Sequence, residues 1–343
     1  MKGSGIGGQA VMEGVMMKNG DRYAVAVRKP NKEIIVKTSE SPSFIKGKKF
    51  LSLPFVRGVF SFVDSLVLGM KTLTYSAEFF DVEEEESTKE PSKLEKKIDA
   101  FLDTKKGMDV MLGFTLVISM VFAVGLFMIL PYFLSTVLKK FTDSQTLIVT
   151  CEGVLKIAIF MGYIALISRM EDIQRTFMYH GAEHKCINCI ENGLELTVEN
   201  VMKSSKEHKR CGTSFLLIVM VVSVIMHMFI RVDSRLLGFA IRLLMLPLIA
   251  GISYEFIRLA GSSENKLVAL LSKPGMMLQH MTTREPQPDM VEVAIASVEA
   301  VFDWRAFLNE NFGTDYEIVE KEYICQETIV PGTEYKEKEN GSL

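Results

Sequence analysis

Residues 110–138 form a run of 29 positions without one charged side chain, longer than the ~20 residues a helix needs to cross the hydrocarbon core of a bilayer. In lipid such a run satisfies its backbone polar groups only by closing into a helix. Residues 146–168, 214–230 and 236–257 repeat the pattern, and 214–230 is near the short limit. With 48% hydrophobic residues and a mean hydropathy of +0.21, the chain is too apolar for an ordinary soluble protein. These runs predict a mainly α, integral membrane fold built on a four-helix transmembrane bundle.

Lysine and arginine then set the orientation. There are 18 of them before the first run, 7 in the loop 169–213 and 8 after residue 257, against 2 in each of the short connections 139–145 and 231–235. Positive loops stay inside. Both termini and the long middle loop are therefore expected in the cytoplasm of a multi-pass inner-membrane protein. The opening residues lead into no apolar core of about 7–15 residues, so no cleaved secretory signal is expected. Cys151 falls in a span; Cys186, Cys189, Cys211 and Cys325 fall on the reducing side, which argues against a disulfide framework. The net charge of −3 says little about partners, and no basic patch interleaved with aromatics points to nucleic acid. The expected partner is the lipid bilayer.

The chain divides into five parts. Residues 1–49 hold a glycine-rich segment, expected to be flexible or tightly turned, and a hairpin around Pro30-Asn31, which together make a small cytoplasmic β element. Residues 50–108 hold an amphipathic helix, an acidic linker around Glu83-Glu84-Glu85-Glu86 and a charged helix from Pro91. In the first of these Val56, Val59, Phe60, Val63, Val67 and Met70 share a face, while Arg57, Asp64 and Lys71 recur opposite. A crossing there would carry 10 Lys and Arg outward, so this helix is expected to lie in the cytoplasmic interface. Residues 109–260 are the four-span domain, 261–320 a cytoplasmic helical segment with a break at Lys273-Pro274-Gly275, and 321–343 a polar, poorly ordered tail. Glu152, Lys156, His227 and Arg242 lie within the spans, where an unpaired charge costs about 2.5–3.5 kcal/mol. A structural cluster pairing Glu152 with Arg242 is the plainer account, and a transport pathway the sharper one.

Between the second and third spans lies Tyr179-His180-Gly181-Ala182-Glu183-His184-Lys185. On a helix continuing from the second span to a stop at Asn192-Gly193, His180 and His184 share one face with Glu183 beside them. This H-x-x-E-H spacing is that of inverted zincins. Two imidazoles so placed can hold one Zn2+ at ~2.0–2.1 Å, and the carboxylate can accept a proton from an attacking water. A solvated surface helix with two ordinary histidines is the bland alternative. Cys186 and Cys189 point away from that face, while Thr197 caps a next helix that ends near His208 and Cys211, just before the third span. Glu255 stands near the cytoplasmic end of the fourth span, as a snorkelling side chain or a ligand.

Four words, Gln9-Ala10-Val11-Met12-Glu13-Gly14-Val15-Met16-Met17, the histidine run, Arg210-Cys211-Gly212-Thr213-Ser214-Phe215 and Thr282-Thr283-Arg284-Glu285-Pro286, occur in an order that resembles the YqhQ-like family of bacterial membrane proteins. Lys18 and Lys209 depart from its pattern without touching a proposed ligand. The resemblance covers roughly residues 3–300 and implies a metal-dependent enzyme of unknown substrate. It adds Glu13 to the site candidates.

The leading expectation is a Zn2+-dependent membrane hydrolase working at the cytoplasmic face on a peptide, a membrane protein or a lipid head group. His180, His184 and His208 would be ligands and Glu183 the general base; Glu255 is the rival third ligand, and Cys211, Lys185 and Arg210 are further candidates. A non-enzymatic membrane scaffold or assembly factor comes second. A transporter is third, since no internal repeat is visible.

Overall fold

A computed structural model of the protein describes residues 3–43, 45–80, 104–230, 232, 234–262, 265–318 and 327–330. The acidic linker, the charged helix expected from Pro91 to residue 103, and most of the C-terminal tail lie outside these residues. The fold is mainly helical with a small antiparallel sheet at the N-terminus. Two compact units arise, one from residues 1–80, 164–222 and 244–343, the other from 81–163 and 223–243.

The first unit is built on a five-stranded meander, β1 (Gly7–Val11), β2 (Gly14–Asn19), β3 (Arg22–Arg28), β4 (Ile34–Glu40) and β5 (Glu327–Val330). The hairpin around Pro30-Asn31 forms as its alternation predicts, with Lys32 taking a positive φ of 68° in the turn. The glycine-rich segment corrects its expectation, because it pairs as β1 and β2. Gly14 makes this workable: a Cβ there would sit 2.2 Å from the Ala26 carbonyl oxygen of the neighbouring strand. The tail expectation is also corrected where Glu327–Val330 pairs with β4.

Both sheet faces are covered. Val15, Met17, Ala24, Ala26, Ile34 and Val36 pack into one core with α5 (Glu171–Glu191), α11 (Pro288–Glu299) and α12 (Trp304–Phe312). Val11, Met16, Tyr23, Val25 and Ile35 pack on Leu68 and Tyr75 of α1 (Val56–Ala77). Helix α1 turns its small-residue face inward. Gly58 approaches Tyr254 and Gly251 of α9 (Leu246–Ser262), Gly69 receives the Gln9 side chain, and Val63 and Val67 stay exposed.

Helices α2 (Lys105–Val124) and α3 (Leu130–Val137) join through a π turn, and α4 (Gln145–Ile167) follows. Further on come α6 (Val198–Lys203), α7 (Gly212–His227), α8 (Arg235–Leu244) and α10 (Lys266–Thr282). Among the described residues, Gly113–Ser135, Gln145–Ile167 and Leu236–Gly261 are long and apolar enough to cross a membrane; Gly212–His227 is apolar but shorter. Within the second unit, Arg242 pairs with Glu152 through Nη2–Oε2 at 3.0 Å and Nε–Oε1 at 3.3 Å, both side chains buried.

Two helix boundaries differ from expectation. Helices α4 and α5 are separate, since Met170 is extended (ψ 134°) and Arg284 fills the gap by donating to the Ser168 carbonyl and the Gln174 side chain. Pro274 lies inside α10 and does not end it; beyond the proline, Gly275 lets the helix lie against Ser214, and the buried Gln279 is bonded to Ser214 and to the His208 backbone.

Candidate metal centre

Helix α5 supplies most of the site. Glu171 and Asp172 stand in its first turn, where they complement the positive end of the helix dipole. It stops in a Schellman motif, with Gly193 at φ 80°, Gly193 N–H bonded to Ile190 O and Leu194 N–H to Cys189 O. Its buried C-terminal half projects His180, Glu183 and His184 toward one cavity of about 210 Å3.

Three ligand atoms, one each from His180, His184 and Cys211, lie within 4.8 Å of one another. His180 Nδ1 is 2.8 Å from the Thr282 carbonyl oxygen and His184 Nδ1 is 2.6 Å from that of Lys206. A carbonyl oxygen can only accept, so both rings carry their proton on Nδ1 and present the Nε2 lone pair to the site. Cys211 Sγ is 3.4 Å from His180 Nε2 and 3.0 Å from Thr213 Oγ1. Glu183 Oε2 is 3.9 Å from one Nε2 and 4.0 Å from the other. Burial pushes the Glu183 carboxyl up to about 7, against the Gly8 backbone N–H that favours its charged form. Lone pairs thus converge in a buried space, and they require a proton or a cation among them.

The donor chemistry fits zinc. Two imidazoles and one thiol suit a borderline-soft ion, and three protein ligands with an adjoining carboxylate are the pattern of sites that keep an open position. The bonds from Nδ1 to backbone carbonyls are the outer contacts that orient metal-binding histidines.

The loop 204–211 is brought to the site by side chains that capture its backbone. Lys185 Nζ donates to Met202 O and Ser204 O at 2.8 Å each, and Asn188 Nδ2 to Ser205 O at 2.7 Å and Glu207 O at 2.9 Å. Gln279 accepts from His208 N–H at 2.8 Å and donates to His208 O at 2.7 Å. Gly181 lets the Thr282–Pro286 word cross α5, since a Cβ there would meet Arg284 O at 2.0 Å.

Other candidates take other positions. His208 lines the cavity but its Nε2 faces Glu191 at 3.6 Å, outside the group of three, and burial holds its imidazole pKa below the usual value. Glu255 is engaged by Arg57, with Nε–Oε1 at 2.6 Å and Nη2–Oε2 at 2.5 Å. Glu13 sits in the β1–β2 turn, paired with Arg175 at 2.5 Å and reached by Tyr179 Oη at 3.3 Å. Lys185 also meets Glu285 at 2.9 Å, and Arg210 lines the cavity while pairing with Glu191. Cys186 and Cys189 are buried in the core.

Sequence reasoning missed Gln279, and it placed Glu191 on the helix face of His180 and His184 without giving it a role. A glutamine following Met276-Met277-Leu278, just ahead of Thr282-Thr283-Arg284-Glu285-Pro286, was the available signal for the first.

The family described as Protein of unknown function (DUF1385) matches residues 53–304. The chain is 32% identical over 319 residues to the uncharacterised protein YqhQ of Bacillus subtilis (strain 168), across 91% of this chain and 97% of that protein. No solved structure matches.

Proposed function

The chain belongs to the DUF1385 family, whose function is unknown, and from that premise we propose that it is a membrane-embedded hydrolase dependent on a divalent metal, zinc for preference. His180, His184 and Cys211 would hold the metal, with Cys211 in the place expected of His208. The observation that carries this reading is the convergence of the two Nε2 atoms and the Cys211 thiol within 4.8 Å, beside the buried Glu183.

Bound there, the metal would supply Lewis acidity to a substrate carbonyl or phosphoryl oxygen. Glu183 takes a proton from the attacking water as its oxygen bonds to the carbonyl carbon. It returns that proton to the leaving nitrogen or oxygen as the scissile bond breaks. The buried Glu183 carboxylate, with Oε2 at 3.9 and 4.0 Å from the two Nε2 atoms, is placed for both halves of that exchange. Thr282 and Lys206 carbonyls hold the two rings in the required tautomer.

The same reading places the protein in the inner membrane with both termini cytoplasmic. Gly212–His227 would complete a four-span bundle, and the exposed Val63 and Val67 face of α1 would lie on the cytoplasmic interface. The positive charge of the long loops and the apolar helices support this.

The test is metal analysis of the purified protein in nanodiscs together with complementation of a null strain. His180→Ala, His184→Ala and Cys211→Ala should lose bound metal along with function. Glu183→Gln should keep near-stoichiometric metal and lose function. A wild type free of metal at neutral pH, or full complementation by Glu183→Gln at matched expression, hands the case to the non-enzymatic scaffold.

A further inference from the structure

Strand β1 is an edge of the sheet and pairs with β2 alone among the described strands. Its pairing closes through Val11 and Gly14 at a two-residue turn, so Gly8 and Ala10 direct their backbone N–H and C=O to the side away from β2, where Glu183 accepts from the Gly8 N–H and leaves the Gly8 C=O and both Ala10 groups for a further strand. Gly7 and Gly8 are both exposed. Successive residues face opposite sides of the sheet. Gly7, opposite Lys18, faces the α1 side, and Gly8, opposite Met17, faces the α5 side.

A cavity lies on each side of this edge. The metal cavity, of about 210 Å3, contains Glu183 and both histidines; a second, of about 470 Å3, is lined by polar side chains including Lys18, Ser61 and Ser65. Gly5, Gly7 and Gly8 line both. The wall between the cavities is therefore bare backbone at the edge of a sheet. A Cβ on Gly8 would come within 2.8 Å of Glu183 Cγ, whereas one on Gly7 would meet nothing within 4 Å.

We propose that the β1 edge is a substrate-binding strand, on which an extended polypeptide pairs backbone to backbone and runs from the polar cavity past Gly7 and Gly8 to the metal site. Main-chain hydrogen bonds give such a mode its affinity, and glycines permit the close approach. Met16, Leu68 and Tyr254 stand among the polar side chains of the larger cavity, so a lipid enters the test as the competitor. Cleavage of the bound strand rests on the hydrolase reading, whereas the binding itself is independent of catalysis.

The test uses full-length Glu183→Gln protein in nanodiscs and fluorescein-labelled, denatured β-casein as the probe, with anisotropy as the readout. Binding should be saturable, competed by unlabelled casein and indifferent to dispersed phosphatidylglycerol. Adding Gly7→Leu, whose Cβ has open space of 4 Å around it at the strand edge, should weaken it at least about tenfold while bound metal is unchanged. Binding that is absent, displaced by the lipid, or the same with Gly7→Leu overturns the strand even if metal and hydrolysis are found. Binding as expected in a protein that takes up no metal keeps the strand and removes the hydrolase.

Discussion

The buried carboxylate of Glu191 joins three segments of chain. Its Oε1 accepts from Ser4 N–H and Ser4 Oγ at 2.8 Å each and from Arg210, while Oε2 faces His208. Burial opposes its charge, but the His208 and Ser4 hydrogen bonds and the Arg210 charge hold the carboxyl down at about 2. A folded pKa below the unfolded value means stability that is present above about 4.5 and is lost as pH falls through about 2. The shift corresponds to about 3 kcal/mol. Thermal unfolding of the solubilised protein should show a loss across that window, and Glu191→Gln should start less stable at neutral pH and lose the slope. Equal pH profiles for the two would refute the assignment. At this scale His180, His184 and Glu183 were legible in advance, because their spacing is a local property of one helix. That Cys211, and not His208, stands within 4.8 Å of the two histidines was not, because Gln279 and Glu191 orient His208 from outside its own segment.

Helix α5 and the word Thr282–Pro286 depend on each other through Gly181. In a free helix Gly→Ala gains about 1 kcal/mol. Here the methyl would collide with the Arg284 carbonyl, and that segment also carries the Thr282 oxygen bonded to His180. Gly181→Ala should therefore destabilise the fold and lower metal affinity about 10–100-fold, read by competition with a zinc chelator. Unchanged affinity would show that the crossing does not orient His180. The Glu152–Arg242 pair offers a second test at this scale. Arg242→Leu takes the guanidinium from the buried Glu152 carboxylate, with Lys156 still near it, and should cost up to about 3–5 kcal/mol, whereas replacing both residues by apolar ones should cost less. Additive effects in the double-mutant cycle would remove the coupling. That this pair forms was foreseeable, since unpaired charges in an apolar run are expensive. Strands β1 and β2 were not, because glycine-rich sequence carries little strand propensity and their stability comes from the faces they cover.

Across the whole molecule, orientation in the membrane is the property that two exposed positions can decide. Asn31 is exposed in the β3–β4 turn and Asp143 is exposed in the short connection 139–145. With both termini cytoplasmic, Asp143→Cys should react with a membrane-impermeant thiol reagent in intact cells, and Asn31→Cys should react only after permeabilisation. The reverse pattern, or labelling of both, would sink the topology. The native Cys186, Cys189 and Cys211 are buried and contribute little background. The amphipathic character of α1 was legible from its period, but its outcome was not. Of the face predicted to lie on the membrane, Val63 and Val67 are exposed and Val56, Val59, Phe60 and Met70 are half-buried, while Gly58, Leu68, Gly69 and Thr72 form the packed face.

Properties that depend on neighbours in the chain were determined by the sequence alone: the apolar helices, the β3–β4 hairpin, the stop of α5 at Asn192-Gly193, and the shared face of His180, Glu183 and His184. Hydrophobic run length, strand alternation and helical spacing act over a few residues, so no distant segment is needed to read them. Only the tertiary structure decided which donor joins the two histidines, that a glycine-rich start becomes two strands, and that Pro274 sits within a helix. Each of these turns on contacts between segments tens to hundreds of residues apart, where steric fit at Gly14, Gly181 and Gly275 and the capture of loop carbonyls outweigh local preference.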